Sequence, residues 1–347
     1  MDFTPTEEQE AARELAGRIF ADLATHERLR AAGTGTDAEL WKALCAAGLP
    51  GAVEETGLLG LVLLLEEQGR VTAQVPFAAS VAYGLLAVTR NGTDEQRARL
   101  LPGLRDGTTV VTGAFPAPGT VTARDDGRGT RRLGGAVDWV PWLRDATHVL
   151  VPDADRALWL VRVEEAARVE PVELTAPWSA ARLVLDGAPG ERLGGSGAYE
   201  DVLAAARIAF AGLQAGVCAG SLARAVEHTS VREQFGRPLS THQAVQLRAA
   251  DAHMDTEAIR VTAYEAAWRF DAGLDAAGAA LTAAWWASEA GKRVVHAGQH
   301  LHGGMGADLD HPVHRHFLWG RQLDAYLGSG TELLAELGGL LAEGDLS

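Results

Sequence analysis

The sequence predicts an α+β fold in three consecutive parts: an N-terminal helical domain over residues 1–108, a central antiparallel β domain over 109–195 and a C-terminal four-helix bundle over 196–347. Three observations carry this expectation. Helix-start signals and apolar residues at helical spacing fill both ends of the chain. Short β-rich runs separated by turn signals fill the middle. Neither βα alternation nor a GxGxxG loop occurs, which argues against a Rossmann fold or a barrel.

Taken in order, Thr4-Pro5-Thr6-Glu7 sets a capping Thr three residues ahead of a Glu, with Pro at the first helical position. Apolar residues then recur at helical spacing from Glu8 to Leu29, among them Leu15, Ile19 and Leu23. Thr93-Asp94-Glu95-Gln96 is a second capping box, opening a short helix that Pro102 and the following glycines are expected to stop. Strands are predicted at 137–140 (VDWV), 148–151 (HVLV), 158–163 (LWLVRV) and 182–185 (RLVL), with turns at Asp126-Gly127 and Asp186-Gly187. Beyond residue 198 the chain is Ala-rich and helical. Gly212, Gly216 and Gly220 recur every four residues there, each weakening a helix by about 1 kcal/mol relative to Ala. Close approach of another backbone is the simplest compensation. Ser240 with Gln243 forms a third capping box, predicting a helix from Thr241 toward Phe270.

Composition narrows the function. The formal net charge is −15 and no Lys/Arg-rich run occurs, so nucleic acid and anionic membranes are poor partners, and any anion site must be local. The longest apolar run, 57–65, is about half a membrane span. Cys45 and Cys218 have no metal or disulfide spacing. The opening MDFTPTEEQE has no basic or apolar leader region, and the expectation is a cytoplasmic protein.

Two segments carry the chemistry: VREQFGRPLSTHQAVQLRAADAHM at 231–254 and QHLHGGMGADLDHPVHRHFLWGRQLDAYLGSG at 299–330. Arg232 offers a planar fork suited to a pyrophosphate. Phe235 offers a ring face on which an adenine can stack. Gly303 and Gly304 let backbone N–H groups approach a ligand closely. Six histidines between His296 and His316 invite a metal reading, but no HExxH or paired Cys/His spacing supports one, and no metal is expected. Trp285, Trp286 and Trp319 read as packing residues, and Cys218 as a small buried one.

Together these segments resemble the C-terminal domain of the flavin-dependent acyl-CoA dehydrogenase family. Arg232, Phe235, Gly236, Leu239 and Gln243 match its R-x-x-F-G-x-x-(L/I)-x-x-x-Q pattern, and His302 to Gly306 its H-G-G-x-G. GTDEQRARLLPGLRDG at 92–107 and the domain order extend the match over nearly the whole chain. The resemblance implies FAD, an oligomer, and a grip on the adenosine diphosphate half of the flavin by the segments holding Arg232, Phe235, Gln243, Gln299, His300, Gly303 and Gly304. It sets Trp139 beside the isoalloxazine ring, but Pro141 stands where the family has a flavin-bonding Thr, and GAFPAPGTV at 113–121 replaces its T-E-P-x-x-G-S-D loop. The family's catalytic Glu occurs at one of two positions, and here these hold Gly328 and Ala206. Glu332, Glu200 and Asp201 lie nearby as candidate displaced bases or as solvated helix-end carboxylates. The reading that follows is the non-catalytic partner in an α2β2 acyl-CoA dehydrogenase, resembling subunits of bacterial steroid side-chain degradation, with a related catalytic subunit supplying the Glu for an acyl-CoA substrate. Two others stay open: a homo-oligomer with a displaced base or a repurposed, dehydratase-like reaction, and a cofactor-free structural partner.

Overall fold

The structure, a computed structural model, describes residues 2–116, 119–125 and 131–344. Its helices are α1 (Glu7–Leu23), α2 (His26–Ala32), α3 (Ala38–Ala46), α4 (Leu49–Val71), α5 (Phe77–Ala79), a π-helical stretch at Ser80–Leu86, α6 (Ala87–Asn91) and α7 (Asp94–Asp106). Strands follow: β1 (Val111–Gly113), β2 (Val121–Asp125), β3 (Arg131–Val140), β4 (His148–Pro152), β5 (Leu158–Arg162), β6 (Arg168–Pro171) and β7 (Ala181–Leu193). The rest is α8 (Ala198–Val231), the short strands β8 (Glu233–Gln234) and β9 (Arg237–Pro238), α9 (Gln243–Asp271), α10 (Ala277–Leu301), α11 (Val313–Leu323) and α12 (Gly330–Glu343). The α+β class and its helical, β, helical order are as predicted.

The chain folds into two compact units, one formed by residues 1–26, 58–73 and 207–347, the other by 27–57 and 74–206. One division falls at Gly57, where a left-handed φ of 72° breaks α4.

In the first unit, the second half of α4 packs on α8. A Cβ on Gly216 would lie 2.7 Å from the Cα and carbonyl carbon of Glu66, and one on Gly212 would lie 3.2 Å from the Cα of Val62. Gly69 answers from α4, where a Cβ would lie 2.7 Å from the backbone nitrogen of Val217. The four-residue glycine spacing is therefore the contact stripe of two helices in backbone approach, and the apolar run 58–65 is buried. α8 is long and apolar enough to cross a membrane by length and composition, but 89% of its most apolar window is buried inside the protein. Asp271 of α9 accepts from the N–H groups of Leu58 (2.8 Å) and Leu59 (2.9 Å), capping the restart of α4. Arg260 of α9 reaches the buried Glu66 at 3.0 Å.

In the second unit the described strands form a sheet of order β1-β4-β5-β7-β3-β2, with β6 also on β7. Leu133, Val137, Val149, Val161 and Leu183 fill its core with Trp159. The sequence predicts an antiparallel central domain. The sheet is instead mixed, because β1 pairs parallel with β4, Val111 opposite His148. The three-residue β1 follows α7 after four residues.

Local expectations shift in four other places. The N-terminal cap is Thr6, boxed with Gln9, two residues later than Thr4 and Glu7. α1 ends at Leu23 and α2 restarts at His26, so the span to Leu29 is two helices. α7 runs through Pro102 and stops at the left-handed Gly107; burial of Leu100, Leu101 and Leu104, each stabilising by about 1.5–3 kcal/mol, outweighs the roughly 3 kcal/mol cost of the proline. Ser240 lies in a 3-10 turn, and α9 starts at Gln243 with no side-chain cap from its N-cap, His242. Of the two predicted turns, Asp126-Gly127 lies outside the described residues. Asp186-Gly187 is a bulge inside β7, where the register against β3 slips.

The two cysteines differ in exposure, Cys45 being half-buried. Cys218 is fully buried, and burial pushes the Cys45 thiol up to about 12. With so little thiolate, neither should react within minutes with an aromatic disulfide reagent at pH 8, whereas unfolding in urea should release two thiols. Rapid labelling of the native chain would contradict this packing.

Candidate functional site

The first unit draws the two motif segments together. α8 ends at Val231, and the N–H of Arg232 donates to the His228 carbonyl (2.9 Å). The chain then turns through the β8–β9 hairpin, whose two central residues both have positive φ, 55° at Phe235 and 78° at Gly236. A two-residue hairpin turn of this class demands positive φ at both places, and only the second is a glycine. Phe235 therefore sits in backbone that bulky residues rarely adopt. Its ring is 91% exposed and meets the edge of His242 at 6.0 Å between centroids. A large apolar ring held out in this way is expensive in water and suited to stacking on a ligand. Arg232 is exposed beside it, and Gln243 is exposed at the start of α9.

The second segment closes α10. Gln299 donates through Nε2 to the Gly306 carbonyl (3.3 Å), and His300 is exposed. Gly303 has a φ of 61°, and a Cβ on Gly303 or Gly304 would meet nothing within 4 Å, so their backbone faces open space. His302 is buried, and its ring stacks on that of His228 at 4.8 Å and 21°. His228 is one turn before Arg232, and His302 immediately precedes Gly303. The stack thus places the Arg232–Phe235 segment and the Gly303–Gly304 segment in one neighbourhood, which suits an aromatic, anionic ligand. Sequence reading finds both segments but not His228.

The two positions where the sequence comparison expects the family's base, 328 and 206, carry no carboxylate of their own. Gly328 has a φ of 118°, where an L side chain is strained, and Ala206 is fully buried in α8. The neighbouring Arg207, buried in the first unit, makes a bidentate pair with Glu336 of α12 (2.8 and 2.6 Å). Sequence reading misses this pair, whose members are 129 residues apart. Arg207, Phe210, Tyr326, Gly328 and Leu333 line a cavity of about 20 Å³, room for one water. Glu332 caps α12: its Oε2 accepts from the Ser329 N–H and hydroxyl, both at 2.8 Å, and these bonds hold its carboxyl below the usual range. Asp201 accepts from Arg90 (2.7 Å) and Asn91 (3.0 Å), and Glu200 lies 3.4 Å from Arg156.

Trp139 belongs to the second unit, half-buried on β3. Pro141 follows, and its carbonyl accepts from the Thr112 hydroxyl (2.5 Å). In the 113–121 stretch, Phe115 stacks between Tyr83 (5.1 Å) and Tyr199 (5.6 Å). No hydroxyl is offered at the Pro141 position. The residues present therefore fit the nucleotide half of a flavin coenzyme and lack two of the donors expected at its ring.

The other histidines have separate roles. His316 donates through Nε2 to the Arg70 carbonyl (2.9 Å), and burial pushes it down to about 4. His314 Nδ1 lies 2.6 Å from the His311 carbonyl, and His296 meets the edge of Phe317 at 4.9 Å. No group of three or more His, Cys, Asp or Glu with metal-holding geometry occurs among the described residues. Trp319 is fully buried, and Trp285 packs beside Leu281 and Leu333.

The chain belongs to the acyl-CoA dehydrogenase family: the family's N-terminal domain matches residues 6–108 and its C-terminal domain residues 194–336. Members of this family are oxidoreductases acting on CH–CH bonds and bind FAD. Among individual relatives, acyl-CoA dehydrogenase FadE27 of Mycobacterium tuberculosis is 33% identical over 99% of both chains. Two solved structures share the fold closely. A variant of the Tcur3481-Tcur3483 steroid ACAD is 42% identical with a TM-score of 0.93, covering 98% of this chain and 99% of that one. The ChsE4-ChsE5 complex from Mycobacterium tuberculosis is 33% identical with a TM-score of 0.92, covering 99% of each.

Proposed function

We propose that this chain is the non-catalytic subunit of a cytoplasmic, FAD-dependent acyl-CoA dehydrogenase, paired as α2β2 with a related catalytic subunit that oxidises a bulky acyl-CoA such as a steroid side-chain thioester. One observation supports the reading: the His228–His302 stack brings the Arg232–Phe235 and Gly303–Gly304 segments together, while Gly328 and Ala206 occupy the positions expected for the family's base. Removal of the α-proton needs a positioned carboxylate, worth typically 10²–10⁴-fold in rate. FAD, where bound, would supply the acceptor for the hydride of the β-carbon.

This chain's part is binding. The Arg232 guanidinium would donate to pyrophosphate oxygens, Phe235 would offer its face to the adenine, and the N–H groups of Gly303 and Gly304 would complete the cradle. Gln243, Gln299 and His300 supply further polar contacts, and Trp139 an aromatic wall. The partner supplies the Glu and the ring-side hydroxyls. The names of the solved relatives, a steroid ACAD of two chains and a two-chain complex, support this composition. So does α9, where Leu247, Met254 and Val261 are 57%, 62% and 47% exposed. Their seven-residue spacing sets them on one helix face, an apolar stripe suited to another chain.

Co-expression with a related chain carrying Glu at one of the two positions tests this. The complex should be yellow and oxidise acyl-CoA, and this chain alone should not. Oxidation by this chain alone, or a colourless complex, would overturn the proposal.

A further inference from the structure

We infer that His228, His302 and His311 form an imidazole column that holds Arg232 in register with the Gly303–Gly304 turn, making His228 and His302 positioning residues for the nucleotide grip, with a hold that weakens on acidification. The inference rests on the coenzyme reading above and names the device behind it.

The geometry is continuous. His302 is the C-cap of α10 and 5% exposed. Its Nδ1 lies 2.7 Å from the Gly298 carbonyl, an acceptor only, so Nδ1 carries the proton and the ring plane is fixed. One face of that ring meets His228 nearly parallel at 4.8 Å. His311 approaches at 5.0 Å and 59°. The backbone N–H of Arg232 is bonded to His228 itself. Tilting the His228 ring away would free the end of α8 to drift from the glycine turn, so the column sets the spacing of the two halves of the grip.

Charge on His228 or His311 would fall against the ring of His302 between them. The groups around them add to the repulsion: Arg232 faces His228, and Arg224 faces His311, while Asp308 and Glu227, the latter beside Arg224, oppose it. Burial first, then His302 and the arginines, hold His228 and His311 below the ordinary imidazole value. The sign follows from that depression. With His228 and His311 neutral, above the ordinary value near 6.5, the column is intact, and their contribution is lost as pH falls below it. His316 also titrates in acid but is not in the column, so a variant must separate the two.

The test is calorimetric binding of ADP, standing for the nucleotide half of the coenzyme, to the full chain and to its complex with the partner, at pH 7.5 and 5.5. The wild type should bind about tenfold more weakly at pH 5.5. His228→Phe keeps a stacking ring without a titrating proton; it should match the wild type at pH 7.5 and reduce the pH dependence to the part contributed by His311 and by the terminal phosphate of ADP itself. His228→Ala should bind more weakly at both pH values, with an unchanged circular dichroism spectrum. An unchanged pH dependence in His228→Phe, or wild-type affinity in His228→Ala, would sink the column alone. Absence of ADP binding by the wild type at either pH would instead remove the coenzyme reading, and the column's role with it.

Discussion

Replacing Gly216 with Ala should lower the melting temperature by roughly 6 °C or more, although alanine is the better helix former by about 1 kcal/mol. The new methyl would fall inside the van der Waals shell of the Glu66 backbone, 2.7 Å from its Cα and carbonyl carbon. Backbone has no rotamer with which to yield. Glu66 is also pinned from its side chain by Arg260 at 3.0 Å. The strain must therefore separate α4 from α8 over several turns, loosening the packed Val62 and Leu213. Overpacking of this kind costs about 1–3 kcal/mol where side chains can adjust, and more where the obstacle is backbone. A net loss of about 3 kcal/mol is the expected outcome. Gly338→Ala is the control. It is exposed on α12 with nothing within 4 Å of the added methyl, and should raise stability by about 0.5–1 kcal/mol. Thermal unfolding by calorimetry compares the two. Equal effects from both substitutions would mean that the glycine stripe is not a helix contact.

That stripe was legible in the sequence because three glycines in one helix contradict local propensity, and only a partner backbone resolves the contradiction. The strands at 137–140, 148–151, 158–163 and 182–185 were legible for the related reason that β-branched and large apolar residues cluster in them, though β5 ends at Arg162. Where the expectation and the structure differ, the local chemistry is the same for either outcome. Asp186-Gly187 tolerates a left-handed φ in a hairpin or in a bulge, and pairing with β3, some fifty residues earlier, decides between them. Ser240 and Gln243 have the spacing of a capping box, but the chain enters α9 through a 3-10 turn fixed by the hairpin before it. β1 is three residues long, too short to show a period, and its parallel partner is 37 residues away.

The site divides in the same way. Arg232, Phe235, Gly303 and Gly304 stood out by type and spacing, and by resemblance to a known pattern. What joins them did not. His228 and His302 lie on different helices, and an imidazole in a helix has no marker of its stacking partner. Arg207 and Glu336 are equally silent in sequence. The seven-residue recurrence of Leu247, Met254 and Val261 was present to be read, but only their exposure distinguishes a docking stripe from an ordinary buried one.

Arg232→Ala should weaken ADP binding by about 30–150-fold and leave the melting temperature nearly unchanged. A guanidinium bonded to an anion is worth roughly 2–3 kcal/mol, because both partners are charged and the planar fork meets two oxygens at once. The stability of the chain should not register the loss, since the side chain is exposed and surface cations contribute little to folding. Arg232→Lys keeps the charge but not the fork, so its affinity should fall between the two, by about tenfold. Phe235→Ala removes the stacking face, a further 0.5–1.5 kcal/mol or so, but keeps the Cβ at a positive φ, so it should weaken binding with little change in stability. The combination discriminates. A structural arginine would lose stability with affinity; a nonspecific cation would be replaced fully by lysine and would respond to salt alone. Only a fork aimed at a diphosphate gives the graded order of wild type, Lys and Ala at constant stability. Full affinity in Arg232→Ala, measured by titration calorimetry at fixed ionic strength, would mean that the nucleotide grip lies elsewhere.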